Sequence, residues 1–225
     1  MKRSEVNGYI KEAEQIMANR SFFLPQWASW TLDEWSKNKS KCTEILDSML
    51  GWDITDFGSG NYLKTGLFLF TLRNGNPDRN TKTYAEKIMI VKENQECPLH
   101  FHWHKNEDII NRGGGILVFQ LFKATRDEQL SEDDVLIQVD GITTVLKAGE
   151  KLELVNGQSI CLSPGIYHRF YAKKGTGYVL AGEVSSINDD TTDNRFFKPA
   201  GRFPIIEENA KPYRLLVSDY GTLLN

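Results

Sequence analysis

A chain of 225 residues with 27 basic and 30 acidic side chains, net charge −3 and pI near 5.9, mixes its signs evenly. It lacks the basic stripe that phosphate backbones require, which excludes nucleic acid as an expected partner. No apolar run approaches the roughly 18 residues of a membrane span, and MKRSEVNGYIKEAEQ is charged where a signal peptide is apolar, so a cytoplasmic protein with no membrane partner is expected.

Ser4 is placed to cap a helix in which Val6, Tyr9, Ile10, Ala13, Ile16 and Met17 recur at spacings of three and four, forming one apolar stripe. The proline-broken, aromatic FFLPQWASW follows. Thr31 and Glu34 then make a capping box before Trp35, and Thr43 to Leu50 reads as a short helix stopped by Gly51. Residues 1–58 are therefore expected to be a helical, aromatic-rich extension lying on the remainder of the chain or on a second subunit.

From about residue 61 the period changes to short β-prone runs: YLKTGLFLFTL, EKIMIVKE, GILVFQLFK, VLIQVDGITTVL, EKLELV, SICLSP, HRFYA and GYVLAGEVSSI. Many short strands separated by Gly, Asn, Asp and Pro indicate a mainly β sandwich or closed barrel over 59–225. Val139-Asp140-Gly141-Ile142 signals a tight hairpin, and Gly113 to Gly115 read as a hairpin turn rather than a phosphate loop, since no helix pattern opens after them. PYRLLVSDY is a candidate last strand. The cysteines, Cys42, Cys97 and Cys161, are odd in number and far apart, which fits buried, reduced thiols better than a disulfide framework.

The stretch CPLHFHWHKNE, 97–107, places three of the four histidines at every second position. On a strand, residues i and i+2 share a face, so His100 and His102 project together while Phe101 and Trp103 turn the other way, toward an expected core. His104 has the same parity, and periodicity alone leaves the pairs 100/102 and 102/104 both open. A structural zinc site begun by Cys97 and His100 has no matching CxxC or HxxxH partner.

His100, His102, Glu107 and Gly114 resemble the first motif of the cupins: HxH, four intervening residues, Glu, six more, Gly. The 102/104 pair leaves two residues before Glu107 and fits worse. Gly157 to His168, GQSICLSPGIYH, is similar to the second cupin motif, which supplies one more histidine, His168; it departs at Ser163, Pro164 and Ala172, and Asn94 replaces the leading glycine of the first motif. The resemblance implies a cupin-type double-stranded β-helix, or jelly-roll, barrel with a metal held by His100, His102, Glu107 and His168. Mixed N/O ligation without thiolate suits several divalent ions, so the donor set does not name the metal.

Over a wider span, HFHWHKNEDIINRGGG, SPGIYHRF and GEVSSINDDTTDNRF resemble the bacterial D-lyxose isomerase family of cupins. That resemblance implies a manganese-dependent aldose–ketose isomerase acting on D-lyxose and D-xylulose, with D-mannose and D-fructose tolerated, and a homodimer. Such chemistry moves a proton between C2 and C1 through an enediol and needs a general base over that face. Glu183, on a strand whose inner face should enter the barrel, is the first candidate, and Lys105 is placed to neutralise or protonate a sugar oxygen. Asp190, Asp193 and Arg195 lie in a polar loop expected to cover the mouth and bind sugar hydroxyls. Two other readings use the same barrel: an iron-dependent cupin dioxygenase, which the polar EVSSINDD loop disfavours, and a non-catalytic sugar-binding cupin, which rarely retains the full ligand set.

Overall fold

The apolar stripe of the first helix and the uninterrupted runs LFLF and IMIV explain one another. In the computed structural model, which describes residues 1–76, 78–79, 82–187, 189 and 192–223, helix α1 (Arg3–Asn19) lies across the outer face of β1 (Gly51–Thr55), β2 (Leu67–Arg73) and β3 (Tyr84–Val91). Val6, Ile10, Ala13, Ile16 and Met17 pack against Trp52, Phe68, Phe70, Ile88 and Ile90. These strands are buried on both faces, so their sequences do not alternate. Burying a side chain such as Ile10 contributes roughly 1.5–3 kcal/mol, and truncating it to Ala would cost about 2–5 kcal/mol.

The remaining strands are β4 (Cys97–Phe101), β5 (Glu107–Gly114), β6 (Leu117–Lys123), β7 (Val135–Val139), β8 (Ile142–Leu146), β9 (Lys151–Leu154), β10 (Ser159–Leu162), β11 (Ile166–Ala172), β12 (Val179–Ser186) and β13 (Arg195–Phe196). They complete two antiparallel sheets, ordered β1-β2-β3-β12-β5-β10-β7-β8 and β13-β4-β11-β6-β9. Leu69, Met89, Ile109, Phe119, Leu121 and Phe170 interdigitate between them in one core. This is the expected mainly β, cupin-type jelly-roll with an N-terminal helical extension.

Several local expectations are met. Thr31 caps α2 (Leu32–Asn38) through a capping box with Glu34, and Asp140 and Gly141, both at positive φ, turn β7 into β8. Others are corrected. Ser4 lies inside α1, whose first N–H groups are met from the far end of the chain: Arg3 N–H donates to the Glu207 carbonyl at 2.9 Å and Ser4 N–H to Asn209 Oδ1 at 3.0 Å, while the backbone N–H of Lys2 donates to the Glu5 carboxylate at 2.7 Å. Helix α3 (Thr43–Asp47) is shorter than expected, and Gly51–Thr55, inside the segment read as helical, pairs with β2. Gly113 to Gly115 do not turn a hairpin, because β5 and β6 belong to different sheets and the glycines cross between them. PYRLLVSDY is no strand; it ends in a single turn at Val217–Asp219 and runs into helix α4 (Tyr220–Leu223), and Leu215, Val217 and Tyr220 pack on Trp35 and Cys42. Among the described residues, no helix is long and apolar enough to cross a membrane.

Candidate metal centre

Antiparallel pairing of β4 with β11 sets His168 directly opposite His100, with ring centroids 4.2 Å apart. His102 follows just beyond β4 and keeps the inward parity of His100, its ring 5.1 Å from His100 and 5.6 Å from His168. All three are buried, and one ligand nitrogen of each lies within 4.8 Å of the others. His104 is exposed.

The protonation pattern follows from the hydrogen bonds. Each Nδ1 meets a backbone carbonyl: His100 that of Pro98 at 2.8 Å, His102 that of Asp193 at 2.7 Å, and His168 that of Ile166 at 3.0 Å. A carbonyl only accepts, so each Nδ1 carries a proton, which leaves Nε2 as the nitrogen available to a metal. Burial, and then the neighbouring His168 and His102, hold the His100 pKa well below its usual value, in the ligating form.

Glu107 opens β5 with its side chain inward. Its Oε1 lies 3.1 Å from His168 Nε2 and 3.4 Å from His102 Nε2. Burial raises its pKa, yet Lys105 and the His102 imidazole outweigh that and hold the carboxyl well below the usual range. Among the described residues, Glu107 Oε1 and His102 Nε2 are buried without a hydrogen-bond partner. Converging buried lone pairs are costly when unsatisfied, and a divalent cation satisfies this donor set. The residues present therefore fit a metal. Cys97 does not join them: burial and Glu107 push its thiol pKa well up, away from the thiolate that zinc would need.

Lys105 reaches inward from the β4–β5 connection and is 3% exposed. Its Nζ lies 2.7 Å from Glu107 Oε2 and 3.1 Å from Glu183 Oε1. Glu183, on β12 opposite Lys87 of β3, accepts from Ser185 Oγ at 3.2 Å and lies 3.5 Å from Lys87 Nζ. Lys105, Glu107, Glu183 and the three imidazoles line a cavity of about 60 Å³ walled by Phe57, Leu69, Met89, Phe170 and Phe196. Lys87, Asn194 and Arg202 also line it and were not singled out from the sequence.

The loop residues expected to bind sugar stand differently. Asp193 is nearly buried, its carboxylate accepting from the backbone N–H groups of His104 at 3.0 Å and Lys105 at 2.9 Å. Arg195 donates to Glu128 at 2.6 Å and to the Phe196 carbonyl. Neither lines the cavity, and Asp190 lies outside the described residues. Phe101 is buried as expected, but Trp103 is 39% exposed, its indole donating to Glu128 at 2.9 Å.

The family model described as D-lyxose isomerase matches residues 1–220. The chain belongs to the D-lyxose isomerase family. It is 44% identical over 223 residues to a D-lyxose/D-mannose isomerase of Escherichia coli O157:H7 and 45% identical to one of Serratia proteamaculans, each alignment covering 98% of both chains. The fold is shared with the L-ribose isomerases of Acinetobacter sp. DL28 (TM-score 0.63, 13% identity) and Cellulomonas parahominis (TM-score 0.62, 14% identity), over 92% of this chain and 98% of each of those. As a member of the D-lyxose isomerase family the chain is an enzyme, a sugar aldose–ketose isomerase, which sets aside the dioxygenase and the non-catalytic sugar-binding readings.

Proposed function

We propose that this enzyme is a divalent-metal-dependent isomerase interconverting D-lyxose with D-xylulose, and D-mannose with D-fructose, by proton transfer through an enediol. The observation that carries the reading is the convergence of bare imidazole nitrogens and an unsatisfied Glu107 oxygen on one point, one lysine away from a second buried carboxylate. The names of the relatives support D-lyxose and D-mannose as the two aldoses.

His100, His102, His168 and Glu107 are the proposed ligands, and Mn²⁺ is the proposed ion, on the family resemblance. Bound there, a divalent ion would polarise the two sugar oxygens flanking the migrating hydrogen and stabilise negative charge on them. Glu183 is the proposed general base. Its carboxylate takes the proton from C2 of the aldose and returns it to C1, held for both transfers by Lys105 and Ser185. The Lys105 ammonium neutralises or protonates the sugar oxygen nearest to it. The apolar walls keep bulk water from the transferred proton.

A homodimer is part of the proposal, resting on the family resemblance. So is a cytoplasmic location, which the three free cysteines support.

Metal-stripped protein reloaded with Mn²⁺ and given D-lyxose in D₂O, followed by NMR, tests the reading. Xylulose carrying solvent deuterium at the exchanged carbon is expected, with Glu183→Gln abolishing it. No turnover of lyxose or mannose with Mn²⁺, Fe²⁺ or Co²⁺ would sink the substrate assignment, and product without deuterium would point to a hydride shift.

A further inference from the structure

The three imidazoles are held by carbonyls of different origin. His100 and His168 each use the carbonyl two residues earlier, Pro98 and Ile166, so their orientation comes with their own strands. His102 lies past the end of β4, and its carbonyl belongs to Asp193, 91 residues away. The same residue's carboxylate takes the N–H groups of His104 and Lys105. One nearly buried side chain and its own backbone thus hold three positions of the β4–β5 connection: the His102 ring and the amides on which His104 and Lys105 hang.

We infer that Asp193 is a positioning residue of the metal centre: its carboxylate staples the 104–105 backbone so that its carbonyl fixes the Nδ1–H tautomer of His102 and its grip on residue 105 aims Lys105 at the two carboxylates. The inference rests on the metal reading above only for its affinity arm. Its physical basis is local. A carboxylate accepting two backbone N–H groups is a charge-assisted, two-point contact. Residues 102–106 have no strand ladder to replace it; the connection's other backbone contacts are the Gly165 N–H donating to the His102 carbonyl at 3.0 Å, which leaves the ring unheld, and the bonds of Asn106 with Ser186. Without the staple, His102 is the one imidazole of the three free to exchange tautomers, and an Nε2–H tautomer cannot ligate through the nitrogen that faces Glu107. Partners of ligating histidines that sit outside the metal shell typically change metal affinity 10–100-fold when removed.

The test uses Asp193→Ala and Asp193→Asn in the full chain. Asparagine keeps the shape but presents an NH₂ group to one of the two backbone N–H groups, so it retains half the staple and guards against a variant that fails to fold. Two quantities are measured: Mn²⁺ affinity by titration of metal-free protein, and the imidazole ¹⁵N shifts of metal-free protein, which report the tautomer of each histidine. Expected are an affinity about 10–100-fold weaker for Asp193→Ala and an intermediate loss for Asp193→Asn. His102 should move to a tautomer mixture while His100 and His168 keep their Nδ1–H signals. Unchanged affinity with unchanged His102 signals would overturn the inference, and so would equal disturbance of all three rings, which marks general loosening. If the wild-type protein takes up no Mn²⁺, the metal reading itself fails, and the His102 tautomer comparison alone then decides the role of Asp193.

Discussion

The Lys105 ammonium lies 3.1 Å from the Glu183 carboxylate although 78 residues separate them in the chain. The same nitrogen is 2.7 Å from Glu107. One buried cation therefore joins the proposed general base to the acid of the metal site, and its removal separates two functions that share the pocket. Lys105→Met takes a positive charge away from where a divalent ion would bind, so Mn²⁺ affinity should hold or rise. It also removes the charge facing the sugar oxygens, so kcat should fall by roughly 10²–10⁴. Titration calorimetry beside steady-state kinetics checks the pair, and a parallel loss of affinity would reassign Lys105 to building the metal site.

Chelation should inactivate the enzyme without unfolding it. Phe119, Leu121, Val135, Leu154 and Ile160 of the apolar core do not line the metal-site cavity, and α1 covers the opposite face of β1, β2 and β3. A ligand at a hundred times its Kd adds about 2.7 kcal/mol to stability. For a chain of this size that corresponds to a Tm raised by about 5–10 °C. EDTA-treated protein is thus expected to keep its far-ultraviolet circular dichroism and melt about 5–10 °C below the Mn²⁺-loaded form; collapse of the spectrum on chelation would mean that the metal is structural.

Two glycines should respond in opposite directions to alanine. Gly114 has φ +115°, and a Cβ there would stand 2.1 Å from the Tyr178 carbonyl, at the place where β5 leaves β12. Backbone strain of roughly 1–3 kcal/mol adds to that collision, so Gly114→Ala should be strongly destabilising. Gly8 is inside α1 with nothing within 4 Å of a Cβ, and Gly8→Ala should stabilise by about 0.5–1 kcal/mol. Urea denaturation of both variants measures the contrast, and equal effects would contradict it.

Legibility in the sequence tracked the range of the interaction. The period of two on β4 puts His100 and His102 on one face, and the strand alternation of YVLAGEV turned Glu183 inward, because both are properties of a few consecutive residues. Lys87 was missed for the opposite reason. It shares the inner face with Met89, but α1 buries the outer face of the same strand, so EKIMIV shows no alternation that would mark an inward lysine. Asp193 and Arg195 were noticed as polar loop residues, while their partners, the 104–105 backbone and Glu128, are 88, 89 and 67 positions away. The terminal LLV run has strand composition, yet it docks on Trp35 and Tyr220, a surface that exists only once α2 has folded against it.

Arg3 offers the sharpest test of how the chain ends are tied together. It is 1% exposed at the start of α1, and its guanidinium holds Asp219 at 2.7 and 3.0 Å and Glu208 at 2.6 and 2.9 Å. Arg3→Met leaves Asp219 buried with, among the described residues, the Leu216 N–H as the remaining donor to that carboxylate, and removing one partner of a buried pair costs about 3–5 kcal/mol. The loss should depend on pH. Hydrogen bonding to Arg3 holds the Glu208 pKa below its usual 4.5, so the unfolded chain binds more protons than the folded one just below that value. Glu208 therefore contributes stability that is present above about pH 4.5 and lost as pH falls through the lower, folded-state pKa. In Arg3→Met that contribution of Glu208 is absent, so the variant loses less stability than wild type as pH falls. Urea denaturation at pH 7 and near pH 3.5 should show wild type and variant converging as pH falls; a gap that stays constant would mean that the packing of the Arg3 side chain, and not its charge, holds the two ends together.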